Sequence, residues 1–174
     1  LCTFHMVRAE FPTARELAEQ CMDIATSTGE ARLLTEAYTA LGYTVFYLGE
    51  VDRARTLLNS AIENYWLDAG KNISFYNPEN PAVACHSLLA FIEWMCGRTH
   101  EAEGHIDAAL KLATELDQAF DLAYAHCYAA VYRLRNGEPE RAAEHAQMAI
   151  QVSKDQRFYL WEHLGEIHFC LARG

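Results

Sequence analysis

The chain has 174 residues, 51% of them hydrophobic, and a formal net charge of -10 from 14 Lys and Arg against 24 Asp and Glu. That is enough apolar material for a sizeable core, and the acidic balance excludes a nucleic-acid footprint and disfavours an anionic membrane surface. No run approaches the ~18 apolar residues of a membrane span, and 4 Pro with 9 Gly are too few for a turn-rich β fold.

Apolar periodicity and turn residues predict an all-α chain of about nine helices, near 1–9, 12–27, 31–48, 51–67, 80–97, 99–116, 119–136, 139–153 and 157–172. The first opens at Leu1, already inside a helical pattern, with no signal-peptide layout, so we expect a segment of a longer chain. Small residues mark one face of the second at Ala14, Ala18 and Cys21. The third carries Tyr38, Leu41, Gly42 and Val45 and stops at Gly49, and the fourth continues with Ala54, Leu58 and Ala61. A long connection, DAGKNISFYNPENP at 68–81, follows. Its Phe75 and Tyr76 suit either a staple over a seam between repeats or a binding element. The fifth and sixth helices bring His86, Leu89, Ala90 and Glu93, a stop at Gly97, then Ala102, Ile106 and Ala109. The seventh and eighth bring His126, Ala129, Ala130 and Arg133, a stop at Gly137, then Ala142, Ala146 and Ala149. Pro139 suits a helix start, where its missing N–H costs nothing. The ninth, FYLWEHLGEIHFCLA, is apolar on more than one face.

These registers superpose under shifts of 48 residues (Tyr38 onto His86) and 40 residues (His86 onto His126). Each unit is then two antiparallel helices. Gly42, Ala90 or Ala130 lets the second helix come close, Ala54, Ala102 or Ala142 is the matching contact, and a Gly with a left-handed backbone ends the first helix. The pattern resembles the tetratricopeptide (TPR) repeat and implies an α-α superhelix: one TPR-like domain over 1–174, with units near 1–27, 31–67, 80–116 and 119–153 and an incomplete one at 157–174. The units exceed the usual ~34 residues. YNPENPAVACHSLLAFIEWMCGRTHEAEGHIDAALKLATEL, with TARELAEQ and QRFYLWEHLGEI, further resembles the helical region of large bacterial adenylate/guanylate cyclase-type regulators. LuxR/MalT-type ATPase regulators are more distant relatives. Where that family has Leu-Gly before an acidic turn, this chain has Cys96-Gly97. The resemblance implies that enzyme and ATPase parts lie outside this segment; no P-loop motif is present in it.

Each candidate for chemistry has a simpler packing reading. HEAEGH, at 100–105, has its histidines five apart rather than the four that puts zinc ligands on one helix face. HLGEIH lets His163 face Glu166, while His168 diverges. Cys85, His86 and Cys127 fall in packing slots and lack the polar pocket that activates a thiol. We therefore expect no catalytic residues, no metal and no cofactor. The 6 Cys form no C-x-x-C pair and read as small hydrophobes in a reducing, cytoplasmic compartment.

In TPR arrays the first helices of successive units line a groove. The resemblance puts Glu36, Tyr43 and Tyr47 there from the first full unit, Phe91 and Trp94 from the second, and Tyr124 and Arg135 from the third. Aromatics and Arg make good binding anchors, yet a helical aromatic stripe serves equally as core, and both readings stay open. The slots that hold a peptide carboxylate in chaperone-binding TPRs are Thr39, Tyr43, Leu88, Tyr124 and Tyr128 here, none of them Lys, Asn or Arg, which excludes that mode. The expected function is a non-catalytic protein–protein interaction or regulatory scaffold in a multidomain bacterial signalling protein. Its partner is a protein, a peptide or a neighbouring domain, with homodimerisation through exposed solenoid ends. The alternative is a small-ligand (inducer) sensor, with Tyr43, Phe91, Trp94 and Tyr124 lining a closed pocket.

Overall fold

A computed structural model describes residues 1–67 and 78–174. The described residues form nine helices and no strand. Each is within a few residues of its predicted position. Contacts divide the chain into two compact units, Leu1–Phe75 and Tyr76–Gly174. The reading of Phe75 and Tyr76 as a staple lies outside the described residues.

The first unit holds α1 (Cys2–Val7), α2 (Phe11–Thr28), α3 (Ala31–Tyr47) and α4 (Val51–Leu67), each packed on the next. The second holds α5 (Pro81–Met95), α6 (Thr99–Leu116), α7 (Ala119–Arg135), α8 (Pro139–Gln156) and α9 (Tyr159–Arg173). Within it α5 touches α7 and α7 touches α9, so the odd helices make one layer. Helices α6 and α8 form the other and meet through an Arg141–Glu103 ion pair at 3.9 Å. Closer approach on one layer than on the other is the local geometry of an α-α superhelix.

The hairpins close on small residues. Gly42, Ala90 and Ala130 are all buried, as are Ala54, Ala102 and Ala142. At Gly42 a Cβ would stand 2.8 Å from Leu58 Cδ2 and 2.9 Å from its Cγ, so the residue facing Gly42 is Leu58 rather than the expected Ala54, and the Leu58 side chain would have to shift to admit a methyl. The turns are Schellman motifs. Gly49, Gly97 and Gly137 have φ of 85°, 74° and 75°. The next residue's N–H reaches back to the carbonyl five residues earlier, Glu50 to Val45, Arg98 to Glu93 and Glu138 to Arg133, each at 2.9 Å. Asn80 caps α5, its side chain accepting from the Ala82 and Val83 amides, while its own N–H donates to Asp121 on α7 at 2.6 Å.

The residues flanking these turns carry a charge inversion. In α5 the buried Glu93 pairs with Arg98 across Gly97. Forty residues on, the buried residue is Arg133 and the residue across Gly137 is Glu138. Arg133, 1% exposed, also takes Glu103 from α6 with both guanidinium nitrogens, at 2.7 and 2.5 Å. These bonds hold the Glu103 carboxyl below its ordinary value. In the first unit the buried position is apolar Val45, and Glu50 turns outward to Arg15 and Arg53.

Two stability predictions follow from this packing. Gly42→Val should lower the unfolding free energy by about 2–3 kcal/mol through overpacking against Leu58. Gly104→Ala, at an exposed mid-helix site with nothing within 4 Å of the new Cβ, should raise it by about 0.5–1 kcal/mol. Urea denaturation that found both effects of one sign would refute the close-approach account. Separately, Glu103→Ala strands much of a buried guanidinium and should cost about 3 kcal/mol, more than Arg133→Met, which leaves only half-exposed carboxylates behind. The reverse order in the same assay would show that burial of charge is not what matters there.

Candidate functional site

Adjacent helices α5 and α7 bring three of the predicted groove residues together. Phe91 and Trp94, one turn apart on α5, stack with centroids 5.9 Å apart and planes at 25°. Arg135, the last residue of α7, lays its guanidinium over both rings, 4.7 Å from Phe91 and 5.4 Å from Trp94. Trp94 rests in turn on the core of Ala90, Ala102, Ile106, Ala129 and Tyr132. The guanidinium is exposed and has no carboxylate partner among the described residues. Stacking on aromatic faces holds the cation while leaving its N–H edge free to bind in the ring plane, a geometry that Lys does not reproduce. Beside it on α9, His168 has a buried Nδ1 with no hydrogen-bond partner. Burial and the Arg135 charge together hold that imidazole below its ordinary value.

The other predicted residues sit elsewhere. Tyr124 is buried, stacked on Tyr128 at 4.7 Å and edge-on to Trp161 of α9 at 5.0 Å. Phe120 and Phe158 extend the same cluster. Tyr124 thus closes the α7–α9 seam, the core reading of the aromatic stripe. Glu36, Tyr43 and Tyr47 all lie on α3 of the first unit. Tyr47 is exposed and stacks on Phe11 at 5.5 Å, while Glu36 and Tyr43 are half-buried. Of the slots that would form a carboxylate clamp, Thr39, Leu88 and Tyr124 are buried.

The cysteine and histidine motifs resolve into packing with one addition. Cys85 and Cys127 are buried, and burial pushes the Cys127 thiol up to about 12, the opposite of activation. His163 faces Glu166 at 3.2 Å on α9, as the spacing implies. Both line a shallow, open depression of about 450 Å³ with Ile167, Cys170 and Leu171. Among the described residues no three His, Cys, Asp or Glu side chains converge as metal ligands would.

The addition is a pair of histidine pairs. His86 of α5 meets His105 of α6 with Nδ1 atoms 2.9 Å apart, and His126 of α7 meets His145 of α8 at 3.0 Å. The repeat register puts His86 and His126 in a bulky packing slot and by itself names no partner for either. The signal was available: both partners stand 19 residues downstream, so the 40-residue shift carries one pair onto the other.

No protein-family model matches the chain, and a search of curated proteins finds no match. Among solved structures, the chain is similar to the crystal structure of BtubC (BKLC) from P. vanneervenii, with a TM-score of 0.70 over 99% of this chain and 73% of that one, at 16% sequence identity. At that identity the likeness extends to the fold: a helical chain with no segment, among the described residues, long and apolar enough to cross a membrane.

Proposed function

We propose that this chain is a non-catalytic interaction module, a TPR-like α-solenoid that captures a segment of a partner protein. The observation that carries the reading is the exposed Arg135 guanidinium, held on the Phe91–Trp94 platform with no carboxylate partner among the described residues. In a chain of net charge -10, an exposed, pre-oriented cation beside aromatic surface suits an extended peptide that offers a carboxylate next to an apolar side chain. The buried thiols and the paired imidazoles supply no nucleophile–base constellation, which supports a binding role over an enzymatic one. A signalling setting rests on the resemblance to cyclase-type regulators alone. Capture of a segment by a solenoid that joins other domains would pass the bound state along its helices.

Selection from a displayed peptide library on the immobilised chain tests the reading. Enriched sequences should carry Asp or Glu beside an aromatic or large aliphatic residue and should quench Trp94 fluorescence. Arg135→Glu should weaken them at least about tenfold, the cost of one charge-assisted hydrogen bond, without shifting the thermal midpoint by more than a degree or two. Peptides that bind the Arg135→Glu variant unchanged would place any binding surface elsewhere. A second association is proposed for α9, whose Leu160, Ile167 and Leu171 are 64%, 53% and 65% exposed. Two copies should associate through them, and light scattering should show Leu160→Glu with Leu171→Glu to be monomeric where the parent chain is not.

A further inference from the structure

The two histidine pairs are a device with a built-in control. Each joins the two helices of one hairpin, α5 to α6 and α7 to α8, by a hydrogen bond between half-buried imidazoles. An Nδ1···Nδ1 bond needs a protonated nitrogen on one ring and a lone pair on the other. The neutral pair satisfies this and so does the singly protonated pair. A doubly protonated pair does not: two N–H groups and two charges then face each other across a partly desolvated seam. In the first unit, positions 38 and 57, which the repeat register places where these histidines fall, hold Tyr38 and Leu57 and so carry no imidazole.

We propose that His86–His105 and His126–His145 form a duplicated proton-responsive latch, such that mild acid loosens the α5–α6 and α7–α8 hairpins while the α3–α4 hairpin stays closed. Because α5 and α7 carry Phe91, Trp94 and Arg135, the loosening reaches the exposed cation and its aromatic platform, but the latch does not depend on what binds there.

The surrounding charges act in the same sense for most members. Burial, and then repulsion from the partner ring, lowers His86 from 6.5 to about 4, and the same two causes lower His126 to about 4. Burial also lowers His105, with Glu93 of α5 opposing. Burial lowers His145, helped by Arg133 of α7 and Arg141 of α8 and opposed by Glu103 of α6. On α9, His168 is lowered by burial and by Arg135 and adds to the acid response without belonging to a pair. For a histidine depressed in the folded state, the open state binds more protons. The stabilisation is therefore complete above the unfolded value of 6.5 and is lost as pH falls from there toward about 4.

Hydrogen exchange on the whole chain at pH 7 and pH 5, corrected for intrinsic rates, tests this. A histidine moving from about 4 when closed to 6.5 when open should raise the opening equilibrium of its hairpin about twenty-fold over that interval. Expected is such a rise in α5–α6 and in α7–α8, with little change in α3–α4. A uniform rise over all three hairpins, or none, overturns the proposal. Replacing each pair by the residues of the first unit, His86→Tyr with His105→Leu and His126→Tyr with His145→Leu, should flatten the response in the altered hairpin only. Persistence of the response overturns the proposal, since it would then come from His168 or the carboxylates. If either replacement fails to fold, an NMR titration of the unaltered imidazoles decides. Two of the four paired rings should remain unprotonated at pH 5, whereas four ordinary titrations near 6.5 would sink the latch.

Discussion

Everything in this protein depends on how closely two helices can approach at one point in each hairpin. The small residue on the first helix is buried in the hairpin, and at Gly42 a methyl group would stand 2.8 Å from Leu58 and force that side chain to shift. Close approach lets backbone and Cβ atoms make dispersion contacts that larger side chains would prevent. It also determines where the rest of each helix goes. With the hairpin closed at that point, the i±3 and i±4 neighbours fall into facing slots, so Tyr132 and Ile106 become core and Arg135 is left at the rim.

The same scaffold then tolerates different chemistry at equivalent slots. The buried site before the turn is Val45 in the first unit, Glu93 in the second hairpin and Arg133 in the third. Each solves its burial differently. Val45 needs no partner, Glu93 takes Arg98, and Arg133 takes Glu103 and Glu138. The two ionic solutions leave Arg98 Nη2 and Arg133 Nε buried without a hydrogen bond, so they are weaker stabilisers than their ion pairs suggest. What they provide is selectivity of contact: Arg133 ties α7 to α6 through a bidentate bond with one favourable geometry. The histidine pairs occupy another such slot, where the first unit has Tyr38 and Leu57 and no imidazole.

Aromatic residues divide between the two roles that the groove pattern left open. Tyr124, Tyr128, Phe120 and Trp161 mortar the α7–α9 seam, where edge and stacked contacts add to their area burial. Phe91 and Trp94 face outward enough to hold a cation instead. The difference comes from the face each residue occupies: Tyr124 of α7 looks into the seam with α9, whereas Phe91 and Trp94 of α5 meet the exposed Arg135 at the end of α7. No pattern within α7 itself marks that change.

The sequence by itself determined the helices, their turns and the register of small residues. Each of those depends on local physics: 3.6-residue periodicity, the left-handed backbone at Gly49, Gly97 and Gly137, and the absence of any apolar run of membrane length. The resemblance to TPR arrays also put Phe91, Trp94 and Arg135 among the groove slots, without deciding between binding anchor and core. Only the tertiary structure decided which of the seven candidates meet. Residues 44 apart, Phe91 and Arg135, come together through the packing of α5 on α7, while Tyr124 is taken out of play by a helix more than thirty residues downstream. The histidine pairs show the limit most plainly. Residues 86 and 105 sit on different helices, and their meeting depends on the rotation of each helix about its own axis. That rotation is set by the close contact across the hairpin and cannot be read from either helix alone.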